Sequence, residues 1–359
     1  MKLRTCILLS LGCSLLLASC ELFYSSYKYN SGTFPDRPIN LEAINSAEDD
    51  YNSDIPTFIN VAGLVFSSKR KGGGQFDFVN EWLNYQFDRR TGKFTVENQP
   101  YGNWDAVERQ RPLAWAAEAA NSPANELGPY IRTYDPFEGS LNTSTNEYHY
   151  GEYLMLFASD RTGNLDIYLT HNYRPGQTRP TSTTNTSQLT GKVFSQPVPV
   201  PFLNSPADDA YPTLDKAFGT VYFTSNRGGS FDIYRATLPA PVPVRLHEQL
   251  PALKETPIER VAELSSTADD KCPYIQGDRL VFTSNRPGGY GGYDLYYSQW
   301  EGGRWSAPVN FGPAINSAAD EYRPILRTDW QYTNQLLLFS SNRPGGKGGF
   351  DLYMVGVPK

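Results

Sequence analysis

Histidine, cysteine and methionine are scarce in this 359-residue chain, which has three, four and three of them. With so few imidazoles and thiols, neither H-E-x-x-H nor C-x-x-C metal-ligand spacing occurs, and no G-x-S-x-G nucleophile elbow is present. No long stretch carries the 3.6-residue apolar period, which excludes a helical bundle. The one extended apolar run, Cys6 to Leu17, falls short of the ~20 residues that a spanning helix needs. Basic residues are not in excess: the formal net charge is −6, which argues against nucleic acid as a partner. What the chain does have is 14% aromatic residues, 30 Gly and 27 Pro, the composition of many short strands joined by turns. The expected class is all-β.

The N-terminus is a segment of another kind. Lys2 and Arg4 precede the apolar run, and Leu17-Ala18-Ser19-Cys20 follows it, the order of a secretory signal. These four residues resemble the bacterial lipobox, in which the Cys becomes the lipid-modified first residue of the mature chain. The expected organisation is a lipoprotein signal peptide at 1–19 (removed), a lipidated tether at 20–36, and a folded body at 37–359. Cys20 is the lipid attachment, and acyl chains, palmitate among them, would hold the body on a membrane. Losing Lys2 and Arg4 takes the formal net charge from −6 to −8. Cys6 and Cys13 leave too, so Cys272 is the only remaining thiol and a disulfide framework is impossible. Cys272 itself reads as a buried apolar position.

The body is repetitive. SSNRPGGKGGFDLY from Ser340 has four upstream siblings: SSKRKGGGQFDF from Ser67, ASDRTGNLDIY from Ala158, TSNRGGSFDIY from Thr224 and TSNRPGGYGGYDLY from Thr283. Each runs apolar strand, Arg, Gly-rich turn, Asp, second strand. The arginines are Arg70, Arg161, Arg227, Arg286 and Arg343, spaced 91, 66, 59 and 57 residues apart, and the aspartates are Asp77, Asp166, Asp232, Asp294 and Asp351. Each unit reads as four strands: an inner strand entered through an acidic loop such as Asp269-Asp270-Lys271-Cys272-Pro273, a strand ending at the motif, one starting at the motif Asp, and an outer Trp/Pro segment. Phe66, Phe157, Phe223, Phe282 and Phe339 share the face of the motif Ser at period 2, where packed sheets bury a large ring. Arg and Asp flank every turn, which predicts a charge pair across the hairpin. The acidic loops lack D-x-D-x-D-G calcium spacing and read as solvated turns, some pairing with neighbouring arginines.

Five such units predict a five-bladed β-propeller of four-stranded antiparallel blades. The chain stops soon after the third strand of unit five, and Arg37 to Ser46 (RPINLEAINS) matches Ala307 to Ser317 (APVNFGPAINS) with one insertion. The N-terminal segment is therefore expected to supply the missing outer strand and close the ring. The 91-residue first interval leaves room for six blades as the alternative.

The SNRPGGxGGxDLY copies and the DExYRP-like lead-in resemble the PD40 (WD40-like) repeats of bacterial envelope proteins, related to the propeller of the TolB family. The resemblance spans roughly residues 37–359. Unit one departs from it: Lys69 replaces the Asn, and Val79 stands where the others have Tyr168, Tyr234, Tyr296 and Tyr353. It implies an outer-membrane or other envelope lipoprotein, facing the periplasm or the cell surface.

Features shared by all five units most simply serve the blade, so the five Arg and five motif Asp are read as structural. Function is sought where the repeat breaks. Unit two carries an insertion, Arg132 to Gly151, bearing Tyr134, Phe137, Tyr148, His149 and Tyr150, a candidate surface for protein or glycan. The expected function is a protein- or glycan-binding scaffold in an envelope complex, without catalytic residues, metal or cofactor, and therefore not an enzyme. The alternatives are a propeller glycosidase, which needs two carboxylates at the channel mouth, and a TolB-like periplasmic interaction protein.

Overall fold

The computed structural model describes residues 27–56, 61–98, 104–133, 140–142, 147–149, 152–173 and 194–359. They form five antiparallel blades around one axis, as the repeat predicts. From inner to outer strand, blade 1 is Asp50–Asp54, Val61–Ser68, Asp77–Phe87 and Phe94–Glu97; blade 2 is Glu126–Thr133, Tyr153–Ser159, Asp166–His171 and Val198–Pro199. Blade 3 is Asp209–Leu214, Thr220–Ser225, Asp232–Thr237 and Ile258–Arg260. Blade 4 is Asp270–Gln276, Arg279–Ser284 and Asp294–Glu301, with its outer strand split into Arg304–Trp305 and Val309–Asn310. Blade 5 is Glu321–Thr328, Gln335–Ser341 and Asp351–Val357, and its outer strand is Ile39–Asn40 from the N-terminus. Ile39 pairs with Met354 and Asn40 with Tyr353, so the ring closes as expected.

The long first interval holds a helix, α1 (Trp104–Ala120), and not a sixth blade. Its Leu113, Trp115, Ala116 and Ala120 are buried with Val65 and Phe78 of blade 1 and Met155 and Phe157 of blade 2. A second helix among the described residues, α2 (Leu246–Ala252), lies in the long connection of blade 3. Neither is long and apolar enough to cross a membrane.

The motif side chains build each blade, but not by the pairing the sequence suggests. Every motif Arg reaches past its own turn to the acid that begins the inner strand: Arg70 to Asp50 at 2.8 Å, Arg161 to Glu126 at 3.0 Å, Arg227 to Asp209 at 2.6 Å, Arg286 to Asp270 at 2.5 Å, and Arg343 to Glu321 at 2.9 Å. These five acids are fully buried, not solvated. Each guanidinium also donates to the motif Ser two residues earlier and to a main-chain carbonyl ahead of the inner strand, Ile315 O for Arg343 at 2.7 Å and Ala120 O at the end of α1 for Arg161. It covers the motif Phe ring at 5.0–5.4 Å. That Phe pairs across the hairpin with the motif Tyr, as Phe339 does with Tyr353. A cation held over two rings beside a buried carboxylate explains why Phe, Arg and Tyr recur together.

The motif aspartates face the other way. Asp351 accepts from the turn N–H of Gly348 at 3.1 Å and from Asn40 Nδ2 of the outer strand at 2.9 Å. Asp294 does the same with Gly291 and Asn310, Asp232 takes Arg260 at 2.8 Å, and Asp166 takes Thr162 Oγ1 at 2.7 Å. The hairpin register places this Asp opposite the motif Ser, as in Ser341↔Asp351. The Arg, beyond the strand end, turns inward while the Asp caps the turn.

Blade 1 compensates for its departures. With Val79 in place of Tyr, Arg70 gains Glu81 at 3.1 Å, and Lys69 pairs with Asp49 at 2.8 Å where Asn226 and Asn342 bond Asp208 and Asp320. The second Gly-Gly of the longer turns answers to a neighbour: a Cβ on Gly348 would lie 2.1 Å from Glu48 O of blade 1.

Candidate functional site

Each inner strand carries a bulge in which one residue takes left-handed φ: Asn52 (53°), Gly128 (58°), Tyr211 (55°), Cys272 (57°) and Arg323 (48°). The pairing register shifts at all five positions. The backbone repeats here while the side chains differ, so this ring around the axis is where symmetry breaks. Its motif-side end is closed. Tyr51 and Tyr322 stack at 5.2 Å, Tyr293 meets Tyr322 edge-on at 5.2 Å, and Tyr211 and Cys272 fill the centre. Burial pushes the Cys272 thiol up to about 12, so it stays protonated and unreactive. The Cys272 expectation holds.

The other end of the axis is polar. Asp54, fully buried, takes Arg327 Nη2 at 3.0 Å, the Tyr274 hydroxyl at 3.3 Å and the Ile131 N–H at 2.6 Å. Tyr130 and Tyr274 lie 6.2 Å apart, and burial raises both phenols. In the equivalent bulge position the other blades have Tyr130, Thr213, Tyr274 and Ile325. The sequence held this signal, a lone carboxylate among apolar and hydroxyl residues, but the inner strands align only through their bulges.

Loops joining strands 1 to 2 and 3 to 4 all emerge on this second face, and grooves open there. One, of about 320 Å³, is lined by Asn30, Ser31, Gln86, Arg89, Gln331 and Trp330. Trp330 is 86% exposed, in the blade 5 loop between strands 1 and 2. Beneath it Tyr332 stacks on Phe34 at 4.0 Å, and the Tyr85 hydroxyl donates to Asp329 at 3.0 Å, so the loop that presents the indole is anchored. A second cleft, of about 270 Å³ between blades 3 and 4, is lined by Trp300, Trp305, Asp215 and Asp278 among others. Trp305 donates to the Tyr222 hydroxyl at 3.2 Å, and the two indoles meet edge-on at 5.1 Å.

Of the residues singled out in the sequence, Cys20, Tyr134, Phe137 and Tyr150 lie outside the described residues. Tyr148 and His149 stand in the short strand Glu147–His149, which pairs with Ser140–Asn142 in the connection of blade 2 on the groove-bearing face. Among the described residues no group of three or more His, Cys, Asp or Glu is placed to hold a metal ion. Neither Trp330 nor Asp54 is marked by the sequence repeat: Trp330 is one aromatic residue in a short loop, and Asp54 follows a bulge that shifts its register.

No protein-family model matches the chain, and no curated protein sequence does. Among solved structures, it is similar to a thermostable family-43 glycoside hydrolase (TM-score 0.45, 10% identity, covering 86% of this chain and 88% of that one). It is similar also to an α-L-arabinofuranosidase of Podospora anserina in complex with cellotriose (TM-score 0.45, 9% identity, 92% and 97% covered). A putative TolB from Agrobacterium tumefaciens matches with TM-score 0.32 and 12% identity over 83% of this chain and 71% of that one. The expectation that the chain is not an enzyme is corrected here. Glycoside hydrolases recur among the similar structures, so absence of catalysis does not follow from a repeat-built propeller.

Proposed function

We propose that this chain is a membrane-tethered propeller directed at a glycan, held by lipid on Cys20 and taking its ligand on the face opposite the motif hairpins. Trp330 carries the reading. A large, flat, solvent-facing ring beside a groove lined by amides and a guanidinium offers a sugar what it needs, an apolar platform for its C–H face and donors and acceptors for its hydroxyls. The motif-side end of the axis is packed with aromatic rings, Tyr51 on Tyr322 and Tyr293 on Tyr322.

Affinity electrophoresis of the purified chain through a panel of soluble polysaccharides tests the reading. At least one should retard the native protein, and Trp330→Ala should weaken retardation about tenfold or more, the cost of truncating an aromatic anchor. If no polysaccharide is bound, or if Trp330→Ala binds as well as the native chain, the reading is refuted.

A second reading for the same face is glycoside hydrolysis, favoured by Asp215 and Asp278 sharing one tryptophan-walled cleft. Hydrolysis requires two carboxylates flanking the scissile bond. Release of reducing ends from a bound polysaccharide, abolished in both Asp215→Asn and Asp278→Asn, would establish it.

A further inference from the structure

We propose that the axis of the propeller binds a small inorganic anion, held by Arg323 and Asn52. Arg323 is fully buried at the centre of the ring. Its Nη2 donates to Pro129 O at 2.9 Å, while Nε and Nη1 have no hydrogen-bond partner among the described residues. A guanidinium does not lose its proton, so the charge persists in the interior. Among the described residues no carboxylate pairs with it. The motif arginines consume the five inner-strand acids one for one. Asp54 is engaged by Arg327, Tyr274 and a backbone N–H. The groups facing Arg323 are otherwise the rings of Tyr211 and Tyr274, at 5.7 and 5.8 Å, and the Cys272 thiol. Burial keeps both phenols and the thiol protonated.

Ring faces offset part of a cation's desolvation but leave two N–H donors of the fork unused, and a buried charge without a counter-charge is strongly destabilising. An anion accepting from Nε and Nη1 supplies charge and geometry together. Asn52 completes the site. It is buried on the same ring, its Nδ2 is 3.4 Å from the Tyr211 hydroxyl, and its Oδ1 has no partner among the described residues. A weakly held amide of this kind can turn its NH₂ toward an anion. Tyr211, Tyr322 and Cys272 pack together beside this site with Tyr51 against them, so small monovalent ions, bromide and nitrate, are the probes.

The experiment has two arms. Crystals of the native protein soaked in bromide are measured at the bromine absorption edge, and an anomalous peak within hydrogen-bond reach of Arg323 Nε and Nη1 is expected. Thermal unfolding is then followed at constant ionic strength while gluconate is replaced by bromide or nitrate. Melting should rise, by about 5 °C at a hundredfold excess over Kd, in the native chain but not in Arg323→Met. If Arg323→Met does not fold, Asn52→Ala serves, with the rise reduced. No bromine peak at Arg323, a carboxylate of the chain itself on the guanidinium, or an anion response unchanged in the variants would overturn the proposal.

Discussion

Replacing Arg343 with methionine keeps the apolar length of the side chain and removes only its charge and donors. Glu321, fully buried, would then retain Ser317 and Ser341 as partners but lose the guanidinium at 2.9 Å. Breaking a buried pair from one side costs about 3–5 kcal/mol, because the remaining charge stays in the interior. For a chain of this length each kcal/mol is worth ~2 °C, so melting should fall by about 6–10 °C at neutral pH. The native Glu321 carboxyl is already raised above the usual range, by burial first, against the opposing pull of Ser317 and Arg343. Without Arg343 it rises further. A carboxyl whose folded-state pKa is raised favours the folded state when protonated, so the penalty should shrink as pH falls below the raised value. Scanning calorimetry from pH 8 to 5 reads this directly. The double variant Arg343→Met/Glu321→Gln should recover most of the loss, since no charge is left stranded. If the single variant loses the same amount at pH 5 and pH 8, and the double variant recovers nothing, Arg343 acts through its packing on Phe339 and Tyr353 and the charge argument is wrong.

Gly128→Ala should cost about 2–4 kcal/mol in denaturant unfolding, because φ is +58° and the new Cβ would lie 2.3 Å from the Tyr211 ring; a cost below that of an ordinary surface change would refute it. Asn45 bonds both the N–H and the C=O of Leu352, at 2.9 and 3.0 Å, and Asn204 does the same for Ile167 at 2.7 and 3.1 Å. Each carbonyl also accepts a backbone N–H, from Leu41 and from Val200, so Asn45→Ala and Asn204→Ala should each orphan one N–H and lose about 1–3 kcal/mol, and unequal losses would show that the repeat is not energetically equivalent. His171 is pushed down to about 4 by burial and then by His247, whose ring lies 4.6 Å away. Its folded-state pKa is depressed, so it contributes stability at neutral pH that is lost as pH falls from about 6.5 toward 4. His171→Phe should flatten the melting profile in that window, measured as the difference from the native chain so that the oppositely acting Glu126 and Glu321 cancel.

The sequence by itself determined the blade. A copied motif with period-2 alternation at Phe66, Phe157, Phe223, Phe282 and Phe339 leaves few foldings other than a hairpin repeated around an axis, and the match of Arg37–Ser46 to Ala307–Ser317 told how the ring closes. Local rules suffice there because strand pairing is set by neighbours in the chain. They failed where partners are distant or where a bulge intervenes. The sequence placed Arg343 with Asp351, eight residues on, yet its partner is Glu321 on the adjacent inner strand, because the hairpin directs the two motif charges to opposite sides. It left α1 unseen, since that helix has no clean apolar stripe and is stabilised by the wedge between blades 1 and 2. The axis was illegible for a further reason: a one-residue bulge changes which side chain turns inward, so Asp54, Arg323 and Arg327 carry no period that marks them as neighbours. Only the closed ring, bringing residues more than 250 positions apart within hydrogen-bond reach, decided that they share one interior and that Trp330 stands exposed on the face opposite the motif hairpins.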